Sequence, residues 1–185
     1  MSGTILPDLR WEALTDRQRE LYMRIVSGPR KSRRLSAASE KGDALPGPFG
    51  PMLLNPPIGG PLQELGAALR HGGALEPRLR EIGILATGAF TRSRYELSAH
   101  VPLALDAGVS AREIEDLLEG GNPPSDAAGS AVVRTVSVIF SKGHVPRAEM
   151  EELLKCVGND GAFELLVIVG YYRLLASIIE TYGIE

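Results

Sequence analysis

From Pro61 almost to the last residue, apolar side chains recur at intervals of three and four, and no stretch alternates at intervals of two. Leu62, Leu65, Ala68 and Leu69 make one such face, closed by Gly72 and Gly73. Leu79, Ile82, Leu85, Ala86, Ala89 and Phe90 make the next, opened by Pro77 where a first helical turn tolerates the missing N–H. A third face starts at about Ser93, carries Leu97, Val101, Ala104 and Leu105, and stops at Gly108. Ser110 and Glu113 then have capping-box spacing ahead of a short helix that ends at Gly120 and Gly121. Residues 125–140, 146–157 and 160–182 read as three more helices. Thr15 or Asp16 starts a further one that reaches about Val26. The prediction is an all-α bundle of about seven helices. Aromatic residues make up only 5% of a chain rich in Ala and Leu, which favours close helix packing over a β-sandwich.

Residues 28–60 break this pattern. They are rich in Pro and Gly, carry the run Gly47-Pro48-Phe49-Gly50-Pro51, and show no helical period, so a long loop is expected there. Phe49, Met52, Leu53 and Leu54 supply apolar surface to anchor its second half. The 185 residues are therefore expected to form a single domain, with 1–60 as an N-terminal helix and loop extension and 61–185 as the helical core.

Charge and cysteine content narrow the function classes. A formal net charge of -3 gives no surplus of cations for nucleic-acid phosphates, so no nucleic-acid partner is expected. The one basic cluster, Arg30, Lys31, Arg33 and Arg34, reads as solvated loop charge. Cys156 is the only cysteine, which excludes an internal disulfide, a Cys-x-x-Cys pair and a Cys-based zinc cage. Lying after Leu153 and Leu154, it is expected to be a small buried hydrophobe. The start of the chain lacks a signal-peptide apolar core, and the apolar run from Leu165 to Tyr172 is too short to span a bilayer. A cytoplasmic protein with no membrane partner is expected.

Three titratable residues share the second and third faces. Glu96 and His100 lie about 40° apart on a helical wheel, close enough to meet, and Ser93 falls beside them. Glu81 sits at the margin of the preceding stripe, so a hairpin of the two helices would bring all three together. Burial would lower the imidazole pKa and pairing with a carboxylate would raise it; either poises His100 for proton transfer. Pro102 should bend the helix near His100. Plainer readings compete: Glu96 pairs with Arg92 at the surface, Glu81 pairs with Arg78, and His100 is a satisfied core histidine. His71 and His144 adjoin glycines, and no metal-ligand spacing links them.

The segment LEPRLREIGILATGAFTRSRYELSAHVPLALDAGVSAREIEDLL, residues 75–118, resembles the carboxymuconolactone decarboxylase family, which shares its fold with alkylhydroperoxidase D-type proteins. The matching positions are Arg78, Arg80, Glu81, Tyr95, Glu96, His100, Gly108, Glu113 and Ile114, with flanking similarity in GPFGPML (47–53), LGAALR (65–70) and GYYRLL (170–175). The resemblance implies an alkylhydroperoxidase D-like helical bundle that assembles with its own copies as a trimer or a multiple of one. The cysteine positions of the peroxidase branch fall here on Ser93 and Glu96, with Tyr95 where the intervening His would be. Neither Ser nor Glu can do thiol–disulfide chemistry, so peroxidase activity is disfavoured. The decarboxylase branch implies cofactor-free chemistry on a small acidic or lactone substrate. His100 would protonate a dienolate, Glu81 would orient the imidazole, and Glu96 would assist or bind substrate. An Arg would hold the substrate carboxylate, with Arg78, then Arg94, then Arg70 as candidates. Phe49, Tyr95 and Ser93 would line the pocket. A non-catalytic helical assembly protein is the remaining alternative.

Overall fold

The computed structural model describes residues 4–29, 33–119 and 124–184. Arg30 and Lys31 of the basic cluster, and the helix stop placed at Gly120 and Gly121, lie outside the described residues. The fold is all-α, and no strand occurs among the described residues. Among the described residues a 3-10 turn, Trp11–Ala13, precedes nine α-helices. These are α1 (Asp16–Ser27), α2 (Arg33–Lys41), α3 (Phe49–Met52), α4 (Pro56–His71), α5 (Pro77–Thr91), α6 (Arg94–Asp106), α7 (Ala111–Leu118), α8 (Ala127–Lys142) and α9 (Arg147–Tyr182). They form two compact units, one of Met1–Gly72 with Ile178–Glu185 and one of Gly73–Ser177.

In the first unit, Gln18 accepts the Thr15 N–H at 2.9 Å and closes a capping box at the start of α1. That helix buries Leu21, Tyr22, Ile25 and Val26. The loop expected over 28–60 is corrected here, because α2, α3 and the first turn of α4 fall inside it. Among its buried positions α2 has Leu35 alone, so it carries no apolar period to read. All four residues of α3, Phe49, Gly50, Pro51 and Met52, are buried. Gly59 lets α3 and α4 touch: a Cβ there would stand 2.0 Å from the Met52 carbonyl oxygen. The fourth helix starts at Pro56, five residues earlier than expected, because Pro56 and Pro57 occupy the first-turn positions. Pro61 therefore lies inside the helix.

In the second unit α5 is the central helix and packs against α6, α7 and α8. Buried residues occupy every face of its middle, from Leu79 through Gly88, as expected of a helix enclosed by others. It ends at Arg92, whose φ of 55° is left-handed, and the chain turns directly into α6. The two helices approach closely at Gly88, where a Cβ would lie 2.9 Å from Leu97 Cδ2 and that side chain would have to shift. The sixth helix runs through Pro102. The break expected between residues 157 and 160 occurs at Gly158, where φ 69° and ψ −177° leave helical geometry inside α9.

Cys156 is exposed, which corrects its expected burial. The stripe buried by the first segment of α9 includes Leu153 and does not reach round to residue 156 before the break at Gly158. By length and composition α9 is apolar enough to cross a membrane, yet 56% of its most apolar window is buried inside the protein, as in a core helix.

Candidate active site

The α5–α6 hairpin brings Glu81 and His100 together across nineteen residues of sequence. His100 Nδ1 lies 2.8 Å from Glu81 Oε2, a hydrogen bond between two side chains withdrawn from water. Glu81 is 3% exposed, Glu96 3% and His100 5%. On the other side of the imidazole, Nε2 faces Glu96 Oε2 at 3.8 Å, an ion-pair distance beyond hydrogen-bond reach. Glu96 is thus buried and turned toward His100, which removes the reading of it as a surface partner of Arg92. The ring of Tyr172, on α9, stands perpendicular to the imidazole with centroids 5.1 Å apart. Tyr171 makes a similar edge contact with Tyr172 at 5.3 Å. The imidazole is therefore held at Nδ1 and against an aromatic neighbour.

This arrangement has a chemical consequence. With the Nδ1 proton donated to Glu81, the lone pair rests on Nε2, the nitrogen that has no hydrogen bond to Glu96 and can exchange a proton with a third group. The Glu81 carboxylate stabilises the imidazolium formed when Nε2 takes that proton.

The remaining candidates are placed as follows. Ser93 is buried and caps α6, its Oγ accepting the Glu96 N–H at 3.4 Å. Tyr95 is half-buried on the first turn of α6, while Arg94 is exposed. Phe49 and Arg70 belong to the first unit, where Phe49 is buried in α3 and Arg70 is half-buried at the end of α4. Arg78 has two carboxylate partners: its Nη1 lies 3.1 Å from Asp126 Oδ2, and its Nη2 pairs with Glu113. Hydrogen bonds from Ser110 hold the Glu113 carboxyl below its ordinary 4.5, with the Arg78 charge adding to the effect. The Gly129 N–H, bonded at 2.7 Å, does the same for Asp126 below its ordinary 3.8, again with help from Arg78. Arg78 thus braces α5 against the first turns of α7 and α8. His71 and His144 are both exposed.

Two residues at the site were not singled out from sequence. Arg80 places its Nε 3.7 Å from Glu81 Oε1, with its side chain 14% exposed. Its signal was adjacency: it is the second Arg of Arg-x-Arg-Glu. Tyr172 is one of a buried pair in an aromatic-poor chain, and it sits in the GYYRLL run.

Comparison with known proteins agrees with this picture. The overall fold matches two solved structures across 100% of this chain. One is an uncharacterized peroxidase-related protein from Silicibacter sp. TM1040, with TM-score 0.74, 14% identity and 92% of that chain covered. The other is an alkylhydroperoxidase AhpD core, an uncharacterized peroxidase-related protein from Ralstonia eutropha JMP134, with TM-score 0.73, 19% identity and 93% covered. At such identities the likeness is one of fold. No curated protein sequence matches the chain. The model of the carboxymuconolactone decarboxylase family matches residues 56–151, more than half of the sequence. That segment runs from the first residue of α4 into α9 and holds Glu81, Glu96 and His100, and the chain belongs to the carboxymuconolactone decarboxylase family.

Proposed function

We propose that the protein is a cofactor-free lyase or isomerase that performs acid–base chemistry on a small lactone or unsaturated oxo acid. The observation that carries this reading is the 2.8 Å contact of His100 with Glu81 inside the core, which directs Nε2 away from Glu81. In a decarboxylation the bond to the departing carboxylate breaks, carbon dioxide leaves, and the electron pair moves into a conjugated carbonyl as a dienolate. His100, entering this step as the imidazolium, then delivers its Nε2 proton to carbon, so that one hydrogen takes the place of the departed carboxylate and the imidazole is left neutral. In an isomerisation the same nitrogen removes a proton from one carbon and returns it to another. Glu81 keeps the imidazole in one tautomer, and Glu96 stands where a proton can be passed back to Nε2.

The fold neighbours carry peroxidase-related names, but the residues of this chain favour proton chemistry. Ser93 is a helix cap, Glu96 faces the imidazole, and Cys156 is a single exposed thiol with no second cysteine to resolve it. Cys156→Ser should leave any peroxide reduction unchanged. Glu81→Gln and His100→Gln should each lower turnover by about 10²- to 10⁴-fold while the helical circular dichroism and melting cooperativity persist. Turnover is read as carbon dioxide release and solvent-deuterium uptake across a panel of unsaturated lactone and oxo acids. Full turnover by both folded variants on an acid that the wild type converts would falsify the assignment.

A further inference from the structure

Two arginines on α5, two positions apart, meet very different surroundings. Arg78 is saturated by Glu113 and Asp126. Arg80 has a more buried side chain, and among the described residues no hydrogen bond reaches any nitrogen of its guanidinium. Its Nε is one of few buried polar atoms left without such a partner, and its one charge contact, Glu81 Oε1 at 3.7 Å, is too long to be a hydrogen bond. Burying a guanidinium N–H without a partner is unfavourable, and native interiors rarely do it without a reason. The Nε–Nη edge of a guanidinium carries two parallel N–H groups that match a carboxylate.

Charge points the same way. His100 stands between Glu81 and Glu96, so an anionic substrate approaching Nε2 meets two carboxylates. Among the described residues Arg80 is a cation that contacts this cluster, one carboxyl group away from the imidazole. We propose that Arg80 receives a carboxylate of the substrate through its Nε–Nη edge and so makes the site selective for acids over neutral lactones and esters. This rests on the acid–base reading of the Glu81–His100 pair. A carboxylate held in such a pair is stabilised against leaving as neutral carbon dioxide, so the group on Arg80 is a spectator that positions the reacting carbon.

The test is ¹⁵N-arginine NMR of the whole chain, with the Arg80 Nε–Hε signal assigned by its loss in Arg80→Lys. Fumarate and cis,cis-muconate are the probes, and their dimethyl esters are the neutral controls. The acids should shift that signal saturably and the esters should not. By calorimetry Arg80→Gln should bind the acids at least ~10-fold more weakly, as expected on loss of a charged hydrogen bond, while Arg112→Gln, on the exposed face of α7, should bind like wild type. The absence of a saturable shift with either acid overturns the proposal, as does an equal shift with the esters or unchanged affinity in Arg80→Gln. Binding is read without turnover, which separates the two claims. Acid binding at Arg80 together with turnover that ignores His100→Gln refutes the proton-transfer reading alone. Turnover that depends on His100 with no acid at Arg80 refutes this proposal alone.

Discussion

Glu81 and Glu164 are both buried carboxylates of the same unit, 3% and 7% exposed, and they do opposite things. Glu164, on α9, accepts the backbone N–H groups of Ala74 at 2.6 Å and Leu75 at 2.8 Å. Gly73 completes that contact, because a Cβ there would lie 2.0 Å from Glu164 Oε1. Backbone amides do not titrate, so these two bonds hold the segment that leads into α5. Glu81 instead faces an imidazole and a guanidinium. Of those neighbours one is an imidazole, a group able to exchange protons, and the other has an Nε without a hydrogen-bond partner. Burial alone therefore does not tell the two carboxylates apart; the nature of their donors does.

Replacing each carboxylate by its amide is the sharpest way to break this comparison. Glu81→Gln keeps an acceptor for His100 Nδ1 but loses the charge that steadies the imidazolium, so turnover should fall by the two to four orders of magnitude given above. Glu164→Gln keeps an acceptor for the amides and should turn over at the wild-type rate; a loss equal to that of Glu81→Gln would erase the distinction. Removing the acceptor altogether should reverse which site matters for folding. Glu164→Ala strands two amides and should cost roughly 2–5 kcal/mol in denaturant unfolding, with the pH–rate profile of the folded fraction unchanged.

A smaller effect should follow from Gly88→Ala, which crowds Leu97 and should destabilise by about 1–3 kcal/mol. Since the hairpin closes through this contact, turnover should drop along with stability. The smallest expected effect concerns the brace at Arg78. Glu113 and Asp126 have depressed folded pKa values, so their contribution is fully present above their ordinary 4.5 and 3.8 and is lost as pH falls through the lowered values. Melting temperature should therefore decline as pH drops below about 4.5, and Ser110→Ala, which removes the main cause at Glu113, should make that decline shallower. An unchanged slope would mean that the Ser110 bonds do not matter to stability.

The sequence showed the α5–α6 hairpin clearly, since long apolar periods bounded by Pro77, Gly108 and a capping residue leave little choice of structure. It offered the meeting of Glu81 with His100 as one of several readings, because one hairpin and one wheel position suffice to bring them together. The choice between Arg78 and Arg80 was hidden. Which of the two would be neutralised depends on acids that α7 and α8 bring from far along the chain. Tyr172 was hidden for the same reason, because its partner lies seventy-two positions away. The second helix was missed for a local reason, having too few buried apolar residues to show a period.

Ser93 gives the hairpin one more consequence. Its oxygen caps α6 by accepting an N–H from Glu96, so positions 93 and 96 face each other at the positive end of a helix dipole. A cysteine at 93 would meet the field that lowers thiol pKa values and makes thiolates reactive. A pair of thiols at this turn would be suited to redox exchange, whereas the Ser93 and Glu96 that stand there are not.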